Sequence, residues 1–292
     1  MNSVKVGFIG LGNMGMIMAR KLVENGLSVT VYDLRKEAVE EMKSLGAVAA
    51  KSCREVAETS DVIISMVRDI PQTEEVIFGK DGVWEGIEEG NTIILSSSIS
   101  PEYCRELYAR AKEKGIRVID AAVSTESRSF TPGQEWSELT LMVGGDEDTV
   151  KQCWPVFEAM AKNTIHLGSI GMGQACKLVN NLAMYGNSNV ARECLNLGLK
   201  AGLNLEKMAE AMSLSTGNSR GLRGVIRWMR QPPAPAARVP SAEAPPQDLG
   251  TKDRELAMEM ARTAGANTPL TSLMAELDLK TVYDAYSALI RK

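Results

Sequence analysis

The chain carries a single histidine, His166, in 292 residues. One imidazole does not furnish a zinc site or a Ser-His-Asp triad, and inside the apolar segment TIHLG it reads as a half-buried structural residue. Cysteine is sparse as well. Cys53, Cys104, Cys153, Cys176 and Cys194 are odd in number, form no Cys-x-x-Cys pair and lie in segments of helical texture, so they read as reduced structural thiols. Cys176 adjoins Lys177, but consecutive helical residues point about 100° apart, which separates the two side chains. Long apolar runs are missing: none approaches the ~20 residues of a membrane span, and MNSVKVGFIG has no basic segment, apolar stretch or small-residue cleavage site. A cytoplasmic protein is expected. Positive charge is not in excess, with 33 Lys+Arg against 37 Asp+Glu and a net charge of −4. No broad positive field is available to gather nucleic-acid phosphates.

What is present is an ordinary globular composition, 44% hydrophobic and 24% charged, at a length that suits two domains. Val4 to Ile9 is an apolar run ending at Gly10, and Met14 to Val23 has helical spacing up to Asn25-Gly26. Strand signals follow at 28–32, 61–66, 92–95 and 117–120, with helices at 36–45 and 101–114. Strands alternating with helices imply right-handed crossovers and a doubly wound, mostly parallel sheet of the Rossmann type. Beyond about residue 166 only helix signals remain, at 174–199, 205–212, 251–264 and 270–289. The expected fold class is therefore α/β, with a Rossmann-type domain over 1–165 and an all-helical domain over 166–292. One low-complexity tract, residues 231–247, holds six of the eleven prolines and reads as a loop between helices.

Gly10-Leu11-Gly12-Asn13-Met14-Gly15 falls between the first strand and first helix of a βαβ unit. In that context Gly10 permits the tight turn, Gly12 lets the backbone approach a pyrophosphate, and Gly15 allows close helix–strand packing. Asp33 ends the second strand about 20 residues on, where a carboxylate accepts hydrogen bonds from the adenosine ribose and repels a 2′-phosphate. That favours NAD. Arg35 and Lys36 could instead cradle a 2′-phosphate if Asp33 turned away.

The string FIGLGNMGMIMARKL, Phe8 to Leu22, resembles the signature of the 3-hydroxyisobutyrate dehydrogenase family, the β-hydroxyacid dehydrogenases. The likeness recurs in SDVIISMV (60–67), SSSISP (96–101), DAAVS (120–124), LMVGGDE (141–147), GSIGMGQACKLVNN (168–181) and TKDRELA (251–257). Read physically, Lys177 and Asn181 stand four residues apart on one face of a helix that follows Gly171 and Gly173. Nearness to the helix N-terminus disfavours an ammonium, which poises Lys177 for proton transfer. An exposed lysine beside a surface asparagine is the alternative.

The resemblance implies Lys177 as general acid/base, with Asn181 orienting the substrate beside it. It makes Ser124 the residue that binds the substrate carboxylate; Thr125 and Arg128, which the resemblance does not assign, are expected to line the same pocket. It gives Lys252 a place near the nicotinamide, Ser98 the place of a cofactor-contacting threonine, and Met66-Val67 that of a loop running past the cofactor. Asp253 is expected to cap or orient the helix that follows it. Where relatives follow the serine with two glycines, this chain has Thr125-Glu126-Ser127-Arg128. Glu126 would repel a carboxylate if it pointed inward, whereas Arg128 could bind one. The expected partner is a small hydroxy acid, and the resemblance implies a homodimer or homotetramer. An imine or carbonyl reductase on the same scaffold, or a dinucleotide-binding sensor without turnover, are the competing readings.

Overall fold

The computed structural model describes residues 4–125, 139–230 and 249–276. Glu126, Arg128, the proline tract and the last turns of the expected 270–289 helix lie outside the described residues. The chain divides into two compact units, one running to Lys177 and the other beginning at Leu178.

The first unit alternates strand and helix as β1 (Lys5–Ile9), α1 (Asn13–Glu24), β2 (Ser28–Tyr32), α2 (Lys36–Ser44), β3 (Val48–Ala49), α3 (Cys53–Glu58), β4 (Val62–Ser65), α4 (Ile70–Phe78), α5 (Val83–Gly86), β5 (Thr92–Leu95), α6 (Pro101–Lys112), β6 (Arg117–Thr125), β7 (Leu139–Gly144), α7 (Glu147–Met160) and β8 (Asn163–His166). The eight strands form one sheet in the order β3-β2-β1-β4-β5-β6-β7-β8. Strands β1 to β6 pair in parallel, β6 pairs antiparallel with β7, and β7 pairs parallel with β8.

Both faces of the sheet are covered, which is why the central strands are apolar at nearly every position rather than alternating. Val6, Phe8, Ile64, Ile94 and Ile119 point to one face and pack with Met18 and Leu22 of α1, Met42 of α2 and Phe157 of α7. Ile9, Ile63, Ile93 and Val118 point to the other, with Val56 of α3, Ile77 of α4 and Leu107 of α6. Short polar residues start the helices: Ser52, Asp69 and Ser100 each accept a backbone N–H three residues on, at 3.0–3.1 Å.

The sheet is larger than the sequence signals predict. Strand β6 continues past Asp120 to Thr125 because Ala121 to Val123 are all buried, and β7 is likewise a short buried run. Such runs have no alternation to separate them from buried helix.

The second unit continues α8 (Met172–Lys200) and adds α9 (Leu205–Ser213), α10 (Arg220–Arg230), α11 (Leu249–Ala264) and α12 (Pro269–Glu276). Its core gathers Ala191 and Leu195 of α8, Met208 and Ala209 of α9, and Leu222, Val225 and Ile226 of α10. Among the described residues no helix is long and apolar enough to cross a membrane. All five cysteines are free, and burial pushes the thiols of Cys53 and Cys153 up to about 12 and 11, so both stay protonated near neutrality. His166 is structural as expected: its Nε2 lies 2.9 Å from the carbonyl oxygens of both Gly145 and Gly168.

Candidate active site

In parallel strands the carboxyl ends lie on one edge, and the loops leaving that edge are where an open α/β sheet binds ligands. The first unit places most of the sequence-predicted residues there. Gly10 to Gly15 follow β1, Asp33 follows β2, Met66 and Val67 follow β4, and Ser98 follows β5. Ser124 and Thr125 are the last two residues of β6, paired with Thr140 and Leu139 of β7.

Each glycine of the turn meets a different demand. Gly10 has φ +96°, a conformation only glycine adopts freely, and its N–H reaches the Tyr32 carbonyl at 3.0 Å. Gly15 is buried, and a Cβ there would strike the Gly10 carbonyl. Gly12 stands at the N-cap of α1, is exposed, and a Cβ built on it meets nothing within 4 Å. No side chain caps α1. The first N–H groups of a helix lack intrahelical partners, so this end offers donors and a positive dipole to an anion. An open approach, uncapped N–H groups and an acidic residue after β2 together fit a dinucleotide pyrophosphate with its ribose.

Asp33 is held in place rather than swinging. Its Oδ2 accepts the Leu11 N–H at 2.6 Å, and its Oδ1 accepts the Arg35 N–H at 2.8 Å and Nε at 3.2 Å. The Arg35 guanidinium also donates to the Leu11 carbonyl at 2.6 Å.

Sequence reasoning did not single out Asp120, yet it is fully buried at the point where β6 passes the start of α8. Its Oδ1 accepts the Gly171 N–H at 2.6 Å and its Oδ2 the Gln174 N–H at 2.7 Å. The carboxylate thus serves the α8 terminus that the dipole makes positive. A charged residue inside an apolar strand was the available signal, because burying a charge is costly unless partners satisfy it. Burial still outweighs the backbone N–H groups and pushes the carboxyl up to about 6.

That shift makes a testable pH dependence. The folded state holds the proton more tightly than the unfolded chain, so the stabilisation is complete below about pH 4 and is lost as pH rises through about 6. Between pH 5 and 7 this group alone should cost wild type about 1 kcal/mol, or roughly 3 °C in Tm. Asp120→Asn does not titrate, so its Tm relative to wild type should rise by that amount over the same interval in thermal melts. A flat difference would mean that the carboxyl titrates where an exposed one does.

Lys177 is half-buried in the second turn of α8, and Asn181 follows one turn later. In the second unit, Asn181, Lys252 and Asp253 come together. The Asn181 Nδ2 donates to Asp253 Oδ2 at 2.7 Å, and the Lys252 Nζ lies 3.5 Å from Asp253 Oδ1, with all three side chains largely shielded. Asp253 does not cap a helix, contrary to expectation. It sits inside α11, whose first residue is Leu249, and turns its carboxylate to the asparagine and the lysine. A sequence motif places it near a helix start but does not say where the helix begins.

The doubly wound sheet, the glycine turn and the open N-terminus of α1 define a dinucleotide-binding protein with an added helical unit. Comparison with known proteins narrows this. Residues 5–168 match the model of the NAD binding domain of 6-phosphogluconate dehydrogenase, and 171–286 that of the NAD-binding region of NADP-dependent 3-hydroxyisobutyrate dehydrogenase. An NAD-dependent L-serine dehydrogenase of Pseudomonas aeruginosa is 35% identical over 94% of this chain and 90% of its own. A 2-hydroxy-3-oxopropionate reductase of Escherichia coli is 34% identical over 94% and 90%. A solved 3-hydroxyisobutyrate dehydrogenase of Mycobacterium tuberculosis with L-serine superposes with a TM-score of 0.79 at 30% identity, covering 99% of this chain and 98% of that one. The chain belongs to the β-hydroxyacid dehydrogenase family.

Proposed function

We propose that the protein is an NAD-dependent dehydrogenase interconverting a small 3-hydroxy acid and its semialdehyde or keto form. The observation that carries this reading is the uncapped N-terminus of α1, open at Gly12, on the same sheet edge to which the start of α8, bearing Lys177, is bonded. L-serine and 3-hydroxyisobutyrate, named for two of the relatives, both carry a hydroxyl on the carbon β to a carboxylate.

The N–H groups at the start of α1 hold the pyrophosphate, Asp33 binds the adenosine ribose, and Met66, Val67 and Ser98 line the cofactor. A nicotinamide bound there would supply the hydride chemistry of both directions. Lys177 Nζ takes the hydroxyl proton in oxidation and gives it back in reduction, so that charge does not build up on the carbinol oxygen. Ser124 and Thr125 donate to the substrate carboxylate; Arg128, outside the described residues, is assigned to the same anion on its charge alone. Asn181 orients the hydroxyl, and Asp253 holds the Asn181 amide in one orientation. Lys252 is assigned to the cofactor on the likeness of TKDRELA to the family.

NAD is preferred over NADP, because two backbone N–H groups keep the Asp33 carboxylate where a 2′-phosphate would need to sit. Arg35 is engaged with that carboxylate and with Leu11, so serving a phosphate would break those bonds. Nicotinamide reduction should be followed with NAD and NADP side by side against a panel of 3-hydroxy acids. NAD should lead in kcat/KM by at least ~10-fold, and Asp33→Asn should narrow that lead, since like charges juxtaposed across an interface cost several kcal/mol. A lead for NADP would show that Arg35 and Lys36 dominate. Tight NAD binding without turnover of any hydroxy acid would leave a dinucleotide-binding sensor.

A further inference from the structure

Gln174 is fully buried, although apolar side chains would suffice to pack a helix against the sheet edge. Its amide is engaged at both ends by one loop. Oε1 accepts the Ile99 N–H at 3.2 Å, and Nε2 donates to the Ser97 carbonyl at 2.7 Å, with the Leu95 carbonyl at 3.5 Å. Its backbone N–H goes to Asp120. Ser97 is itself tied onward, since its Oγ accepts the Val67 N–H at 2.9 Å, and the Met66 N–H bonds the Ile9 carbonyl at 2.9 Å. A continuous line of hydrogen bonds therefore runs from the end of β1, through the loops after β4 and β5, to the first turn of α8.

The two kinds of contact do different things. Apolar burial is non-directional, so a helix held only by it can slide or turn slightly at little cost. A buried amide that satisfies one donor and one acceptor on the same loop tolerates neither motion, because either leaves buried polar groups unpaired. Lys177 lies three residues beyond Gln174, about 60° around α8 and one turn along it. Any shift of the helix that displaces Lys177 also breaks the Gln174 bonds.

We propose that Gln174 is a positioning residue whose two-ended hold on the Ser97–Ile99 backbone sets where Lys177 stands relative to the cofactor-side loops. The proposal rests on the reading of Lys177 as the proton-transfer group. It separates two tasks within one helical turn: Asp120 satisfies the backbone of the α8 terminus, and Gln174 registers that terminus against the loop carrying Ser98.

The test uses Gln174→Leu in the full chain, with NAD and whichever 3-hydroxy acid wild type oxidises fastest. The measurements are kcat, KM, the NAD dissociation constant and the primary deuterium isotope effect with substrate labelled at the carbinol carbon. The variant should lose at least ~10-fold in kcat, since a misplacement of about 1 Å can cost up to about 100-fold, and should keep NAD affinity within about threefold. The isotope effect should rise as chemistry comes to limit turnover. A merely unfolded fraction scales kcat but leaves KM and the isotope effect where they were. A kcat within about twofold of wild type, or a loss matched by the unfolded fraction with an unchanged isotope effect, overturns the inference. A wild type that oxidises no hydroxy acid overturns the underlying reading and the inference with it. If the leucine variant does not fold, Gln174→Glu decides. As a neutral acid, glutamate can still donate to the Ser97 carbonyl and accept from Ile99; ionised, it cannot donate. Followed from about pH 5 to about pH 10, its kcat relative to wild type should be several-fold higher where the glutamate is neutral than where it is ionised. A ratio flat with pH overturns the proposal.

Discussion

Lys177→Ala is expected to lower kcat by at least ~100-fold while leaving NAD affinity nearly unchanged, the low end of what a lost acid/base group costs. The two halves of that expectation have separate origins. Under the proposed function, cofactor binding draws on the N-terminus of α1, Asp33 and the loops after β4 and β5, and Lys177 is assigned to proton transfer instead. The proton on the substrate hydroxyl, by contrast, needs an acceptor in the transition state, and water in its place is neither poised nor positioned. Because a group that acts only in the transition state affects kcat and kcat/KM equally, KM should move little. Steady-state rates together with a fluorescence titration of NAD check both halves. Activity retained in the alanine variant would sink the mechanism. Loss of NAD binding would mean instead that Lys177 belongs to the cofactor site.

Gly12 and Gly15 make a second pair of large and opposite effects. Gly12→Ala should leave Tm within about 1–2 °C of wild type, because its new methyl enters open space and surface substitutions of that kind cost about 0.5 kcal/mol or less. In the proposed cofactor site the same methyl stands in the way of the pyrophosphate's approach to the backbone. NAD affinity should fall ~10- to 100-fold, matching the loss of a charge-assisted hydrogen bond worth about 1.5–3 kcal/mol. Gly15→Ala should do the reverse in kind. Its methyl would be driven into the Gly10 carbonyl and the Phe8 ring, and overpacking of this sort costs about 1–3 kcal/mol or more. Thermal melts should show a clear destabilisation before any ligand is added. If both variants lost stability equally, or neither lost affinity, the assignment of one glycine to the ligand and the other to packing would be wrong.

The site was unequally legible. The glycine turn could be read because strand, turn and helix announce themselves locally, and Asp33 because its distance from the turn follows from the length of one βαβ unit. Lys177 and Asn181 stood out through helical spacing and through likeness to a family. Asp120 and Gln174 were in plain view within quoted motifs, yet their importance was not, since nothing in DAAVS or GMGQACK says that they will meet. They are 54 residues apart in sequence and 2.7 Å apart in the fold. Asp253 failed as a predicted cap for a related reason: its partner, Asn181, lies 72 residues away.

By itself the sequence determined the class of each element it could write into a single window. Periodicity decided strand or helix, Ser52, Asp69 and Ser100 decided where helices begin, and Gly10, Gly12 and Gly15 decided how tightly β1 turns into α1. These are local because they depend on backbone conformation and on neighbours within a turn or two. Only the tertiary structure decided that β6 and β7 extend the sheet, that Asp33 is held by Leu11 and Arg35, and that Gln174 grips the Ser97–Ile99 backbone. Such pairings become favourable only after burial removes water as the competing partner, and burial is a property of the folded chain, not of any stretch of it.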